Sequence, residues 1–152
     1  MREMVLSFRP DVYERIKSGE KLFEYRRTFP DEEILAYMYV SSPVKCITGI
    51  IRLGKRTVLS EWYEKYERPE VRDRISRYMK NSNYVMQIEF FQDTSEISLK
   101  ELKTIKGFSV PQMYFYLDNY PEVKEYIDIN LNYKELHFVN SFDAISEDMI
   151  CK

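Results

Sequence analysis

A chain of 152 residues with 44% hydrophobic content fits one domain around one core, and an aromatic share of 15%, with thirteen Tyr and nine Phe, excludes a disordered tract. The formal net charge of -2 and a pI of about 5.6 exclude a strongly basic surface of the kind that holds nucleic acid without selectivity. Two cysteines without motif spacing, Cys46 and Cys151, point to a reducing compartment, and no apolar run nears the roughly 18 residues of a membrane span. The chain is therefore expected to be cytoplasmic, with no membrane partner. Its charge is uneven. Residues 1–56 carry eleven Lys/Arg against eight Asp/Glu and residues 57–152 carry twelve against seventeen, so a basic patch is expected on the first third.

Val5-Leu6-Ser7-Phe8 reads as a strand running into Arg9-Pro10, where Pro suits the first position of a helix. Val12 and Ile16 share a face of that helix, and Gly19 fits the left-handed position after its end. The period then changes to two, predicting a strand with Leu22, Glu24 and Arg26 on one side and Phe23 and Tyr25 on the other. Leu35 to Val40 and Ile47 to Leu53 predict two strands joined by Ser41-Ser42-Pro43.

Two helices follow between Val58 and Lys80. One carries a stripe of Leu59, Trp62, Tyr63 and Tyr66, and the other carries Val71, Ile75, Tyr78 and Met79 after Pro69. Tyr84 to Phe91 returns to strand. Ser98 and Glu101 form a capping box, which predicts a helix over Leu99 to Lys106 ended by Gly107. A further helix is expected after Pro111 and another from Tyr120-Pro121, while the stretch from Asn130, which holds His137, shows no dominant period. No repeat or linker divides the chain, so strands and helices form one α+β unit.

The negative findings narrow the chemistry. His137 is the only histidine, no CxxC is present, and four glycines cannot supply a phosphate loop or a dinucleotide fingerprint. No metal site and no cofactor are expected. Ser7 and Arg9 sit where a strand meets a helix start, a place suited to anions, although an Arg there is as often a solvated surface residue. Ser41 and Gln112 can hydrogen-bond a ligand or serve a turn and a cap. Tyr25, Tyr37 and Tyr39 could stack on a base, with core packing as the plainer account.

Gly19, Lys21, Glu24 and Arg26 fit the pattern G-x-K-x-x-E-x-R. With Leu6-Ser7-Phe8-Arg9-Pro10, Tyr39-Val40-Ser41-Ser42-Pro43-Val44-Lys45 followed by Gly49, and Gly107-Phe108-Ser109-Val110-Pro111-Gln112, this resembles the ASCH family over roughly the first three quarters of the chain. The resemblance implies a PUA-like β-barrel of mixed strands with flanking helices over residues 1–128, with residues 129–152 as a C-terminal extension packed on it or trailing from it. It also implies a cleft in which Lys21, Glu24 and Arg26, with Ser7, Arg9, Ser41 and Gln112 as further ligand-binding candidates, hold RNA or a nucleotide.

Arg offers phosphate a planar fork of donors, Lys a compact charge, and Glu an acceptor for a base amino group. In a regular strand Lys21 would point away from Glu24 and Arg26, so Lys21 must precede the strand if the motif is to converge. As an alternative, the family includes small hydrolases that cleave RNA or act on acetylated cytidine, with Lys21 and Glu24 as catalytic candidates. The amidohydrolase-type members carry Thr at the position of Glu24, so their proposed nucleophile is missing here. A second alternative is a protein-interaction domain in transcription or translation regulation. Replacing Lys21 or Arg26 by Ala is expected to weaken ligand binding with little effect on folding, whereas Gly19→Val should damage the turn.

Overall fold

The computed structural model describes residues 1–143 and 146–152. Its centre is a mixed sheet curled into a half-barrel. Strands β1 (Arg2–Phe8), β2 (Phe23–Arg26), β3 (Ile34–Val40), β4 (Cys46–Leu53), β6 (Tyr84–Thr94) and β8 (Tyr114–Tyr116) run in the order β2-β6-β4-β3-β1-β8. The short β5 (Thr57–Val58) and β9 (Tyr133–Val139) also pair with β6, and β7 (Ile97–Ser98) pairs with β4. β1 and β3 are parallel, with Ser7 opposite Tyr39, while the other ladders are antiparallel. Parallel neighbours need a long crossover. Here it contains helix α1 (Pro10–Lys17) and β2, the segment that holds the G-x-K-x-x-E-x-R residues.

Strand alternation builds two cores from the same sheet. Met4, Leu6 and Phe8 of β1 and Ala36, Met38 and Val40 of β3 face the inside, where Tyr13 and Ile16 of α1 close over them. Val5, Tyr37 and Tyr39 face outward and pack beneath α5 (Pro121–Asn130) and the 99–120 segment. A third cluster joins β2 to α2 (Leu59–Lys65) and α3 (Pro69–Met79), and Ile150 and Cys151 are buried within it. β6 is eleven residues long and serves both ends of the sheet because irregularities at Arg52/Leu53 and Gln92/Thr94 bend its ladders.

Several sequence expectations are corrected. Leu22 packs with Phe23 and Tyr25 rather than beside Glu24 and Arg26, because the strand begins only at Phe23. The helix capped by Ser98 and Glu101, α4, spans only Leu99–Leu102. Its hydrogen bonding then tightens to the turns Thr104 N–H to Glu101 O and Ile105 N–H to Leu102 O, and Ile105 and Phe108 pack on the outer core.

No α-helix forms between Pro111 and Pro121, where the only helical piece is a single 3-10 turn at Leu117–Asn119. Tyr114-Phe115-Tyr116 instead pairs with β1, because an unpaired strand edge beside three aromatics outweighs weak local helical signals. Met79 lies exposed at the end of α3 instead of extending its buried stripe. The stretch from Asn130, without a dominant period in sequence, contains β9, whose solvent-facing side lacks an apolar row and whose order comes from pairing with β6. The segment 129–152 also includes two residues, 144 and 145, that lie outside the described residues.

Candidate nucleotide-binding cleft

The cleft begins with the turn after α1. Gly19 adopts φ +79°, the amide of Lys21 donates to the carbonyl of Arg15, and the chain enters β2 two residues later. Lys21 thus precedes the strand, which lets its side chain converge with that of Glu24. A Cβ placed on Gly19 would meet no atom within 4 Å, so Gly19→Val acts through backbone conformation alone.

Glu24 and Arg26 share one face of β2, and the register Glu24↔Met86 and Arg26↔Tyr84 anchors both on β6. Glu24 is buried. Its Oε1 accepts from the Tyr25 amide at 3.1 Å and lies 3.6 Å from Arg26 Nε. Arg26 also donates through a terminal nitrogen to the Ser7 carbonyl at 2.8 Å and lies over the Phe8 ring. Two buried atoms remain without a hydrogen-bond partner here, Glu24 Oε2 and Arg26 Nε. Lys21 is only 6% exposed. Its ammonium donates to the Lys152 carbonyl at 3.3 Å and lies 4.8 Å from the Tyr25 ring centroid. Burial lowers its pKa below the ordinary lysine value, the nearby Arg15 and Arg26 add to this, and Glu24 opposes it.

Two adjoining chambers open at this point. The first, of about 400 Å³, is lined by Lys21, Glu24 and Tyr25, by Arg9, Val12 and Arg15 of the α1 face, and by Arg77, Tyr78, Asn81 and Ser82 at the end of α3. The second, of about 370 Å³, lies between Ser7, Phe8, Arg9, Arg26, Ser41 and Gln112, and shares Arg9, Val12, Glu24 and Tyr25 with the first. All seven ligand-binding candidates, Ser7, Arg9, Lys21, Glu24, Arg26, Ser41 and Gln112, therefore line one chamber or both. Tyr25 is held in place: the Cys151 amide donates to its hydroxyl, and burial pushes the phenol far above its ordinary pKa.

The other aromatic candidates lie elsewhere. Tyr37 and Tyr39 belong to the outer core, and the Tyr37 hydroxyl donates to Glu3. Trp62 packs edge-on against Phe23 and Tyr25. His137 is exposed on β9, with Nδ1 3.0 Å from the Glu135 carbonyl. Sequence reasoning missed Arg15, Arg77, Tyr78, Asn81 and Ser82. Arg15 was within reach, since positions 9, 12 and 15 fall three apart on one helix face. The α3 residues carry no local signal, because only folding brings them over the motif. Among the described residues no group of His, Cys, Asp or Glu is arranged to hold a metal, and no helix is long and apolar enough to cross a membrane.

No family model and no curated protein matches this sequence. Solved structures do. A Tyr-to-Phe variant of the ASCH protein of Zymomonas mobilis superposes with a TM-score of 0.61 at 21% identity, over 87% of this chain and 100% of that one. The unsubstituted Zymomonas mobilis ASCH protein gives a TM-score of 0.58 at 21% identity, over 84% of this chain and 95% of that one. A Ser-to-Ala variant gives 0.58 at 23% identity, over 84% and 96%. At these identities the likeness is one of fold, and the chain has the ASCH-domain fold, a PUA-like α+β half-barrel of mixed strands with flanking helices.

Proposed function

We propose that this protein is a binding module that holds RNA, or a nucleotide extruded from it, in the two-chambered cleft. The observation that carries the reading is the Glu24–Arg26 pair at the junction, where Oε2 and Nε both lack a partner. An accepting carboxylate beside a donating guanidinium N–H matches a base edge that offers an amino group next to a ring nitrogen. Both atoms are closed to water, so engagement requires the Glu24 carboxylate to turn about its terminal bond, a torsion with a broad profile, and the Arg26 guanidinium to turn with it so that Nε faces the cleft. A buried polar atom without a partner costs about 1–3 kcal/mol, and a ligand that supplies the partner removes that cost. The rings of Tyr25 and Tyr78 offer apolar wall for stacking.

The test is titration of short single-stranded RNA and of nucleoside monophosphates across a salt series. Binding should weaken as salt rises, and should fall by about tenfold or more in Lys21→Ala combined with Arg26→Ala, as expected for lost charge-assisted contacts. Absence of binding to every RNA and nucleotide tried would overturn the reading.

A second reading, hydrolysis of RNA or of a modified nucleoside, is favoured by the lowered basicity of Lys21. In its amine form Lys21 takes a proton from an attacking water, with Glu24 alongside as the carboxylate partner. A lowered pKa places the amine form at lower pH than for an ordinary lysine, so turnover should rise with pH through that value and level off above it. Product formation with this profile, abolished in Lys21→Ala, is the expected result. No product from either substrate class at any pH refutes hydrolysis.

A further inference from the structure

The chamber between α1 and α3 differs in charge from its neighbour. Four cations line it, Arg9, Arg15, Lys21 and Arg77, against the single carboxylate of Glu24. Arg9 and Arg15 have exposed carboxylate neighbours at 3.5 Å to Asp11 and 3.8 Å to Glu20, which restrain them weakly. Arg77 forms no ion pair among the described residues. Lys21 lies nine-tenths buried against the chamber, and its ammonium is met only by a carbonyl and a ring face. Asn81 and Ser82 add neutral donors at the rim. The second chamber is less charged: it shares Arg9 and Glu24 with the first, a terminal nitrogen of Arg26 is held by the Ser7 carbonyl with Glu24 3.6 Å from its Nε, and Ser7, Ser41 and Gln112 add neutral polar groups.

A nucleotide has the same two-part character, a dianionic phosphate joined to a neutral base with a hydrogen-bonding edge. Resting on the nucleotide-binding reading above, we propose that the α1–α3 chamber is a phosphate seat in which Arg15 and Arg77 grip the anion from opposite walls, so that the cleft selects nucleotides over the free nucleosides. Planar guanidinium forks suit phosphate oxygens in pairs, and an anion here adds to the counter-charge that Glu24 gives the buried Lys21. The base then enters the chamber of Ser41 and Gln112, across the Glu24–Arg26 junction. Because α3 supplies Arg77, the helical pair inserted between β5 and β6 becomes part of the recognition surface.

The test compares adenosine with adenosine monophosphate and cytidine with cytidine monophosphate by calorimetric titration at low salt, on the native chain and on Arg15→Ala combined with Arg77→Ala. Arg77 is exposed and Arg15 half-buried, so the variant should fold, and circular dichroism checks that it does. The monophosphates should bind the native chain about tenfold or more tighter than their nucleosides, from charge-assisted phosphate contacts. In the variant that preference should shrink to about twofold while nucleoside affinity holds. Equal binding of nucleoside and nucleotide, or a preference that survives the substitutions, overturns the phosphate seat and leaves nucleotide binding standing. Failure of all four probes and of short RNA overturns both.

Discussion

Gly49→Ala should lower the unfolding free energy by about 3 kcal/mol, read as a fall in the midpoint of urea denaturation at unchanged slope. Gly49 stands at φ +84°, in β4, where the β3–β4 ladder slips between its Tyr37 and Tyr39 pairs. A side chain in the left-handed region costs roughly 1–2 kcal/mol. Its Cβ would also come within 3.2 Å of a Phe91 ring carbon and 3.3 Å of both Met38 Sδ and a Tyr13 ring carbon, all in the inner core. Crowding of that kind costs roughly 1–3 kcal/mol. The amide of Gly49 donates to Thr94 Oγ1 at 2.7 Å, which ties the backbone in place and limits relief by movement. In a domain of this size the melting temperature should drop on the order of 10 °C. A shift below about 2 °C would mean that the ladder irregularity relaxes freely.

Arg26→Ala is expected to act on both stability and binding, which departs from the sequence expectation of a purely functional effect. The substitution leaves the Ser7 carbonyl without its donor and takes from buried Glu24 its ion-pair partner, with Lys21 remaining as a nearby cation. Breaking a fully buried pair costs roughly 3–5 kcal/mol. Here the pair is separated by 3.6 Å and the Arg26 side chain retains 17% exposure, so a loss of about 2–3 kcal/mol is expected. Glu24→Gln in the same chain removes the stranded charge and should restore about 1 kcal/mol. RNA or nucleotide binding should stay lost in both. Recovery of binding together with stability would show that the pair serves the fold and not the ligand.

The arrangement of the cleft explains which parts of it could be read in one dimension. Gly19, Lys21, Glu24 and Arg26 are close in sequence, and a turn followed by a strand is enough to bring them to one place. Ser7 and Arg9 join them because β1 runs directly into α1. Arg77, Tyr78, Asn81 and Ser82 come some fifty residues later, and no local pattern ties them to the motif. The Lys152 carbonyl that meets Lys21 lies farther still.

By itself the sequence determined the elements whose signals are local: α1 through Pro10 and Gly19, the Ser98–Glu101 cap, the β3–β4 pair, and α3 and α5 through Pro69 and Pro121. Only the tertiary structure decided that the segment after Pro111 is a strand on the edge of β1, that β9 completes the sheet, and that α3 roofs the cleft. Helix caps and turns are satisfied by neighbours along the chain, so their chemistry is written in short spacings. Strand edges and cleft walls are satisfied across the fold, so their partners are chosen by which surfaces remain unpaired once the half-barrel has formed.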